Sequence, residues 1–140
     1  MKNLIEKQTI EELENDRWQE PPKESSSLIK TCFQLRKKKI KDLSVEDLRV
    51  LIGQDIGLIY LIPIAIDVLK ENPFVEGNYY EGDLLKSVLT SDKTFWKKNP
   101  NYKTLLIKKL ELIMYNDLDQ LDTTEQIKQE LRQSYIEFKE

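Results

Sequence analysis

The sequence predicts an all-α protein, a compact single-domain bundle of about seven to eight helices that spans residues 1–140. Apolar residues recur at three- and four-residue intervals along most of the chain, which is the spacing of one helix face. Several of these stretches begin after a residue that commonly caps a helix N-terminus. No stretch shows the apolar–polar alternation of a β-strand, and a chain of 140 residues suits one domain.

Two helices are predicted before residue 40. Thr9 and Glu12 have capping-box spacing, so a short acidic helix is expected to begin there and to end near Trp18. A second helix is predicted over residues 28–38, because apolar residues lie on one side of it at helical spacing. Its expected inner face is Leu28, Cys32 and Leu35.

The third and fourth predicted helices lie on either side of residue 57. Ser44, followed by an acid three residues on, is predicted to cap a third helix, and Gly57 is predicted to stop it. A fourth helix is predicted over residues 58–71. Because proline is tolerated in the first turn of a helix, Pro63 predicts that its true start lies nearer Ile62. The inner residues of the third helix are Leu48, Leu51 and Ile52.

Four more helices complete the prediction. Asp83 is expected to cap the fifth, a short sixth covers residues 94–98, and Asn101 is expected to cap the seventh, over residues 102–117. The eighth covers residues 124–138. The residues expected to face inward on the fifth, seventh and eighth helices are Leu84, Leu85, Val88, Leu89, Leu105, Leu106, Leu110, Ile113, Met114, Ile127, Leu131, Tyr135 and Phe138.

The composition excludes several kinds of active site. The chain has no histidine, so Ser-His, Cys-His and His-zinc sites are excluded, and four glycines leave no phosphate-cradling loop. We expect no catalytic residue, no cofactor and no resident metal. Cys32, the single cysteine, is predicted to be a buried core residue. An enzyme with a carboxylate site would need a divalent metal and remains an alternative.

Charge and hydropathy point to a protein partner. With a net charge of −3, the chain is not expected to contact nucleic acid directly, and the basic run at residues 36–41 is interpreted as a solvated helix end. No apolar stretch reaches the roughly 20 residues that cross a bilayer, and residues 1–20 do not resemble a signal peptide. We expect a cytoplasmic protein that does not contact a membrane and is monomeric when free.

The loop between the fourth and fifth helices is the strongest candidate interface. It combines two tyrosines with several acids, Glu76, Tyr79, Tyr80, Glu81 and Asp83. Tyrosine offers a large, rigid contact area with a polar tip, and acids steer a basic partner towards the loop. The alternative is a structural loop in which the tyrosines pack on the core and the glycines serve the turns.

An ordered series of stretches resembles the immunity proteins of contact-dependent growth inhibition (CDI) systems of bacteria. The resemblance covers about residues 13–96 and is weak beyond residue 99. Its longest stretch is Val45–Gln54, whereas Lys39, Asn78 and Glu81 depart from the family pattern. The other matching residues are Glu12, Leu13, Glu14, Trp18, Thr31, Cys32, Leu35, Arg36, Lys37, Ile56, Gly57, Leu61, Ile62, Pro63, Ala65, Leu69, Asn72, Pro73, Gly77, Tyr80, Gly82, Asp83, Leu84 and Leu85.

The resemblance implies a non-catalytic cytoplasmic antidote that binds one cognate toxin domain and blocks its active site. Such toxin domains are often nucleases, whose basic clefts would suit an acidic antidote. The residues expected to bind the toxin are those of the acidic tyrosine-bearing loop, with Asp16 and Trp18 second. A regulatory module, such as an anti-repressor or adaptor unrelated to a toxin, is the alternative that the same acidic helical surface would serve.

Overall fold

The prediction of an all-α fold is confirmed by the computed structural model, which describes the backbone of residues 2–140 and the side chains from Leu4 onward. Within that range there are nine α-helices, slightly more than predicted, and two short 3-10 helices at Ile40–Asp42 and Leu118–Gln120. The α-helices are α1 (Lys2–Glu6), α2 (Ile10–Glu14), α3 (Ser27–Leu35), α4 (Val45–Gly53), α5 (Leu58–Glu71), α6 (Asp83–Leu89), α7 (Lys93–Lys98), α8 (Pro100–Asn116) and α9 (Glu125–Lys139).

The helix starts that depend on local hydrogen bonds follow the predictions closely. Thr9 and Ser44 both form complete capping boxes, in which each side chain accepts an amide three residues on and the acid there accepts the cap amide in return. Thr124 caps α9 through its hydroxyl alone, which accepts the Ile127 amide at 3.2 Å. These caps satisfy amides that have no partner within the helix.

The first two predicted helices are too long. Helix α2 ends before Asn15, which adopts a left-handed conformation with φ 52°, so the chain leaves the helix well before Trp18. Helix α3 stops at Leu35 rather than at residue 38. Leu28 was predicted to face inward, but it lies near the exposed start of α3 and remains accessible to solvent. Helix α1 was not predicted at all.

Three predicted helix boundaries are wrong for identifiable reasons. Helix α5 begins at Leu58 and continues through Pro63, because burial of its apolar residues outweighs the one backbone hydrogen bond that proline cannot donate. Gly57, with φ 63°, precedes α5 rather than ending α4, which stops at Gly53. Helix α8 begins at Pro100, where a missing N–H costs least, so Asn101 lies inside it rather than capping it.

The buried apolar side chains form one cluster that extends from Ile10 to Phe138. Most of the predicted inner residues belong to it, including Leu48, Leu51 and Ile52 of α4. Cys32 is also buried, as predicted, and its burial raises the pKa of the thiol. Helix α4 packs chiefly on α6, and α6 packs on α9, so the central helices position the loop that connects α5 to α6. Among residues 2–140, no helix is both long enough and apolar enough to cross a bilayer.

Candidate functional site

One buried carboxylate organises the segment between α5 and α6. Asp83 is the first residue of α6, with Gly82 at the cap position, so its predicted role as a helix cap is wrong. Oδ1 of Asp83 accepts the Gly77 amide at 2.7 Å, and Oδ2 accepts the amides of Tyr79 at 3.0 Å and Tyr80 at 3.4 Å. Because charge-assisted hydrogen bonds are strong, Asp83 fixes the turn before its own helix. We call residues 76–83 the tyrosine loop.

Helix α4 supplies a second anchor for the tyrosine loop. Oε1 of Glu46 accepts the Asn78 amide at 2.9 Å. Arg49 donates Nε and Nη2 to the two carboxylate oxygens of Glu46, at 2.7 and 2.6 Å. A bidentate pair of this kind is more directional than a single ion pair, so it holds Glu46 in the orientation that the loop amide needs.

Tyr79 lies against the same arginine. Cζ of Arg49 is 4.5 Å from the centroid of the Tyr79 ring, while the Tyr79 residue is 70% exposed. A cation–π contact at an exposed site contributes about 0.5–1 kcal/mol, which favours one ring position over free rotation. The loop therefore presents a large aromatic side chain to solvent from a fixed base.

Glu46 makes this arrangement sensitive to acid. The hydrogen bond from Arg49, assisted by the one from the Asn78 amide, lowers the pKa of Glu46. A carboxyl group whose folded pKa is depressed stabilises the fold above its unfolded pKa, and that contribution is lost as the pH falls through the folded value. We expect the Asn78 amide resonance to titrate with a midpoint below about 4.3, the ordinary value for glutamate.

An NMR titration between about pH 7 and pH 2 measures this midpoint. The matched control is Glu46→Gln, which keeps an oxygen that can accept the Asn78 amide but removes the titrating group. The acid transition of the Asn78 resonance should be absent from that variant. A wild-type midpoint at or above the ordinary glutamate value would contradict the claim that the hydrogen bonds from Arg49 and the Asn78 amide stabilise the Glu46 carboxylate.

Gly77 is a position in the loop where a side chain would crowd both anchoring carboxylates. A Cβ at Gly77 would lie 2.7 Å from Oε1 of Glu46 and 3.0 Å from Oδ2 of Asp83, so Gly77→Ala must push at least one carboxylate away from its amides. We expect the Asn78 amide, which Glu46 accepts, to exchange with solvent at least about tenfold faster, a loss of roughly 1.4 kcal/mol of local protection. Hydrogen exchange by NMR measures this effect.

The matched control is Gly53→Ala at the end of α4. The nearest atom to a Cβ there is Oγ of Ser87 at 3.5 Å, an ordinary contact. This variant should leave loop exchange unchanged and should raise the stability of the fold by about 1 kcal/mol at most. Equal exchange rates in the two variants would show that the carboxylates do not hold the loop.

The other residues of the tyrosine loop differ in exposure. Tyr80 is partly buried, and this burial raises its pKa. Glu76 and Glu81 face each other across an isolated antiparallel bridge, with Glu76 exposed and Glu81 partly buried. Within the described residues, neither carboxylate accepts a hydrogen bond or forms an ion pair. The loop thus combines an internal framework with an outward set, Glu76, Tyr79 and Glu81.

Asp16 and Trp18 belong to a different group, built on Arg36. Arg36 is only 1% exposed, and its guanidinium donates to the carboxylate of Glu14 and to the backbone carbonyl of Asp16. Its Cζ lies 4.0 Å from the centroid of the Trp18 ring, which also contacts Phe33 at 4.9 Å between centroids. The prediction of a solvated basic run is therefore wrong for Arg36, because the segment after α2 folds over it.

The structure does not bring the two predicted groups together. In the described part of the chain, no hydrogen bond, ion pair or ring contact joins the tyrosine loop to Asp16 or Trp18. Sequence reasoning also missed the anchors Glu46 and Arg49. Their three-residue spacing on a predicted helix was visible, but an exposed surface pair has the same spacing. Among the described residues, no group of three Cys, Asp or Glu side chains could hold a metal ion.

Comparison with known proteins identifies the family. The family model of CDI immunity proteins matches residues 12–106, about two-thirds of the chain. The chain belongs to this family. Neither the comparison with curated proteins nor the comparison with solved structures gives a match.

The residues that match the family include the candidate site. As a CDI immunity protein, the chain is a toxin-neutralising protein whose partner is a cognate toxin. The match contains the tyrosine loop with both of its anchors, and the segment that holds Asp16 and Trp18. The end of α8 and all of α9 lie beyond it. Exposed residues of that later region therefore serve as controls for the binding predictions below.

Proposed function

We propose that this immunity protein acts as a single domain over residues 1–140, binds its cognate toxin domain in the cytoplasm and catalyses no reaction itself. The outward set of the tyrosine loop, Glu76, Tyr79 and Glu81, covers the active site of the toxin and excludes its substrate. The observation that carries this proposal is the pinned loop. From a fixed base it presents an exposed aromatic ring and two carboxylates that form no ion pair with any described residue.

Rigidity supports the choice of this loop as the contact surface. Association costs free energy when flexible loops and side chains become ordered. Here Asp83 and Glu46 already accept loop amides in the free protein, and Arg49 already packs on Tyr79. Most of the conformational freedom of the loop is therefore lost when the immunity protein folds, rather than when it binds the toxin.

Charge supports the proposal that the toxin is a nuclease. A nuclease holds phosphate groups in a basic cleft, and carboxylates that enter such a cleft take the place of the phosphates. Glu76 and Glu81 have no counter-charge among the described residues, so they remain available to basic groups of a partner. The net charge of −3 further favours encounter with a basic toxin.

Co-purification with the toxin domain encoded by the adjacent gene tests this function. We expect a 1:1 complex, a Kd on the order of nanomolar or tighter, and a monomeric free protein in light scattering. Cleavage of RNA or DNA by the toxin should fall in proportion to the immunity protein added. Absence of a complex would overturn the proposed partner. A saturated complex that still cleaves its substrate would overturn active-site blocking.

A further inference from the structure

A second surface lies along α5, away from the contacts that hold the tyrosine loop. The α5 groove has a volume of about 320 Å³ and runs between α1, α5 and α8. Ile59 is 51% exposed at this groove, although it belongs to the most apolar helix of the chain. Apolar side chains that stay open to water in a shared groove mark interaction surfaces more often than isolated ones do. The lining includes Ile5, Ile59, Tyr60, Pro63, Tyr102 and Leu105.

An acidic hollow adjoins the α5 groove. Ile59 and Tyr60 line both, and the hollow has a volume of about 530 Å³. The Tyr60 hydroxyl donates to the Leu13 carbonyl at 3.2 Å, which ties α2 to α5. The two depressions therefore form one continuous surface with a fixed floor. The polar and aromatic lining of the hollow includes Glu14, Asp16, Trp18, Arg36 and Asp55.

The charge of the hollow indicates what it binds. Arg36 neutralises Glu14, but neither Asp16 nor Asp55 forms an ion pair among the described residues. Asp55 uses one oxygen to accept the Asp92 amide at 2.9 Å, and both aspartates are exposed. The hollow thus has an excess of negative charge beside an apolar groove. A second copy of this chain would bring the same acids to the contact in a two-fold dimer.

We propose that the α5 groove and the acidic hollow form a second contact surface for the toxin, occupied by a toxin segment that carries an apolar side chain next to a lysine or arginine. This inference rests on the proposed function, since it assigns a further surface to the same partner. An apolar centre with a charged rim is the usual anatomy of a specific interface. The basic residue of the toxin pairs with Asp16 or Asp55, and its apolar neighbour packs on Ile59.

The decisive variant is Ile59→Lys, which replaces an exposed apolar contact with a charge that repels the basic segment. Leu112→Lys is the matched control, because Leu112 is 72% exposed on α8 and does not line either depression. Calorimetry against the adjacent toxin domain should show affinity at least about tenfold weaker for Ile59→Lys and within about twofold of wild type for Leu112→Lys. Asp16→Lys tests the hollow independently and should slow association and reduce its salt dependence.

The outcomes separate this inference from the proposed function. If the wild-type chain does not bind the toxin, the proposed function fails and this surface assignment fails with it. If the wild type binds and both Ile59→Lys and Asp16→Lys bind equally well, only the second surface is overturned. Light scattering tests the other occupant: a wild-type dimer that Ile59→Lys dissociates would assign the groove to a second copy and overturn the toxin assignment. Melting curves monitored by circular dichroism confirm that each variant folds.

Discussion

Arg36→Ala is expected to lower the free energy of unfolding by about 3–5 kcal/mol, the largest effect on stability that we predict for a polar residue. The substitution removes a side chain that is 1% exposed, leaves Glu14 without its partner and leaves the Asp16 carbonyl without its donor. It also removes the cation that Trp18 packs against. Urea unfolding followed by circular dichroism measures the loss.

Two further variants separate charge from packing at this position. Glu14→Gln keeps the shape of the partner but leaves a buried guanidinium without a counter-charge, so it should also be destabilising, though less than Arg36→Ala because Glu14 is partly open to water. Lys37→Ala is the matched control, since its pair with Glu20 is exposed and contributes about 0–1 kcal/mol. If Arg36→Ala costs no more than Lys37→Ala, Arg36 does not hold the segment after α2.

Tyr79→Ala is expected to weaken toxin binding by about thirtyfold or more, equivalent to at least about 2 kcal/mol. Exposed tyrosines held on a rigid base are typical hot-spot residues, because little conformational freedom remains to be lost on binding. The stability of the free protein should change by less than about 1 kcal/mol, since Tyr79 contributes only an exposed cation–π contact. Calorimetry against the toxin domain measures the affinity.

Tyr115→Ala is the matched control for this prediction. Tyr115 is 73% exposed, close to the 70% of Tyr79, but it lies on α8 beyond the region that matches the family. This variant should bind the toxin as the wild type does. Tyr79→Phe should retain most of the affinity if the ring rather than the hydroxyl makes the contact. If Tyr79→Ala and Tyr115→Ala both bind the toxin with near-wild-type affinity, the tyrosine loop is not part of the toxin interface.

Much of the secondary structure could be predicted because it depends on neighbours in the chain. Capping boxes at Thr9 and Ser44 join residues three positions apart, and the apolar faces of α4 and α9 repeat every three or four residues. The errors arise where a distant contact outweighs a local rule. Pro63 lies inside α5 because that helix packs its apolar residues in the core, and this packing outweighs the local preference of proline for the first turn.

The residue types of the tyrosine loop indicate a candidate interface, but they do not indicate the role of each residue. Tyr79 and Asp83 are both residues that suit an interface, yet one is exposed and the other is buried under three loop amides. Residue types alone cannot distinguish these two roles, since an acid beside glycines can stabilise a turn as readily as it can bind a partner protein. The sequence does not indicate the role of Glu46, because it lies 32 positions before the Asn78 amide that it accepts.

The sequence by itself determined that the chain is helical, where most helices begin and which apolar face of most helices turns inward, because these features arise from interactions within about four residues. Only the tertiary structure decided which charges lie inside. Arg36 reads as part of a solvated basic run, but it is buried by Glu14, which lies 22 positions away, and by the Trp18 ring. Burying a charge is favourable only when a partner reaches it, and the position of that partner is set by the packing of the whole chain.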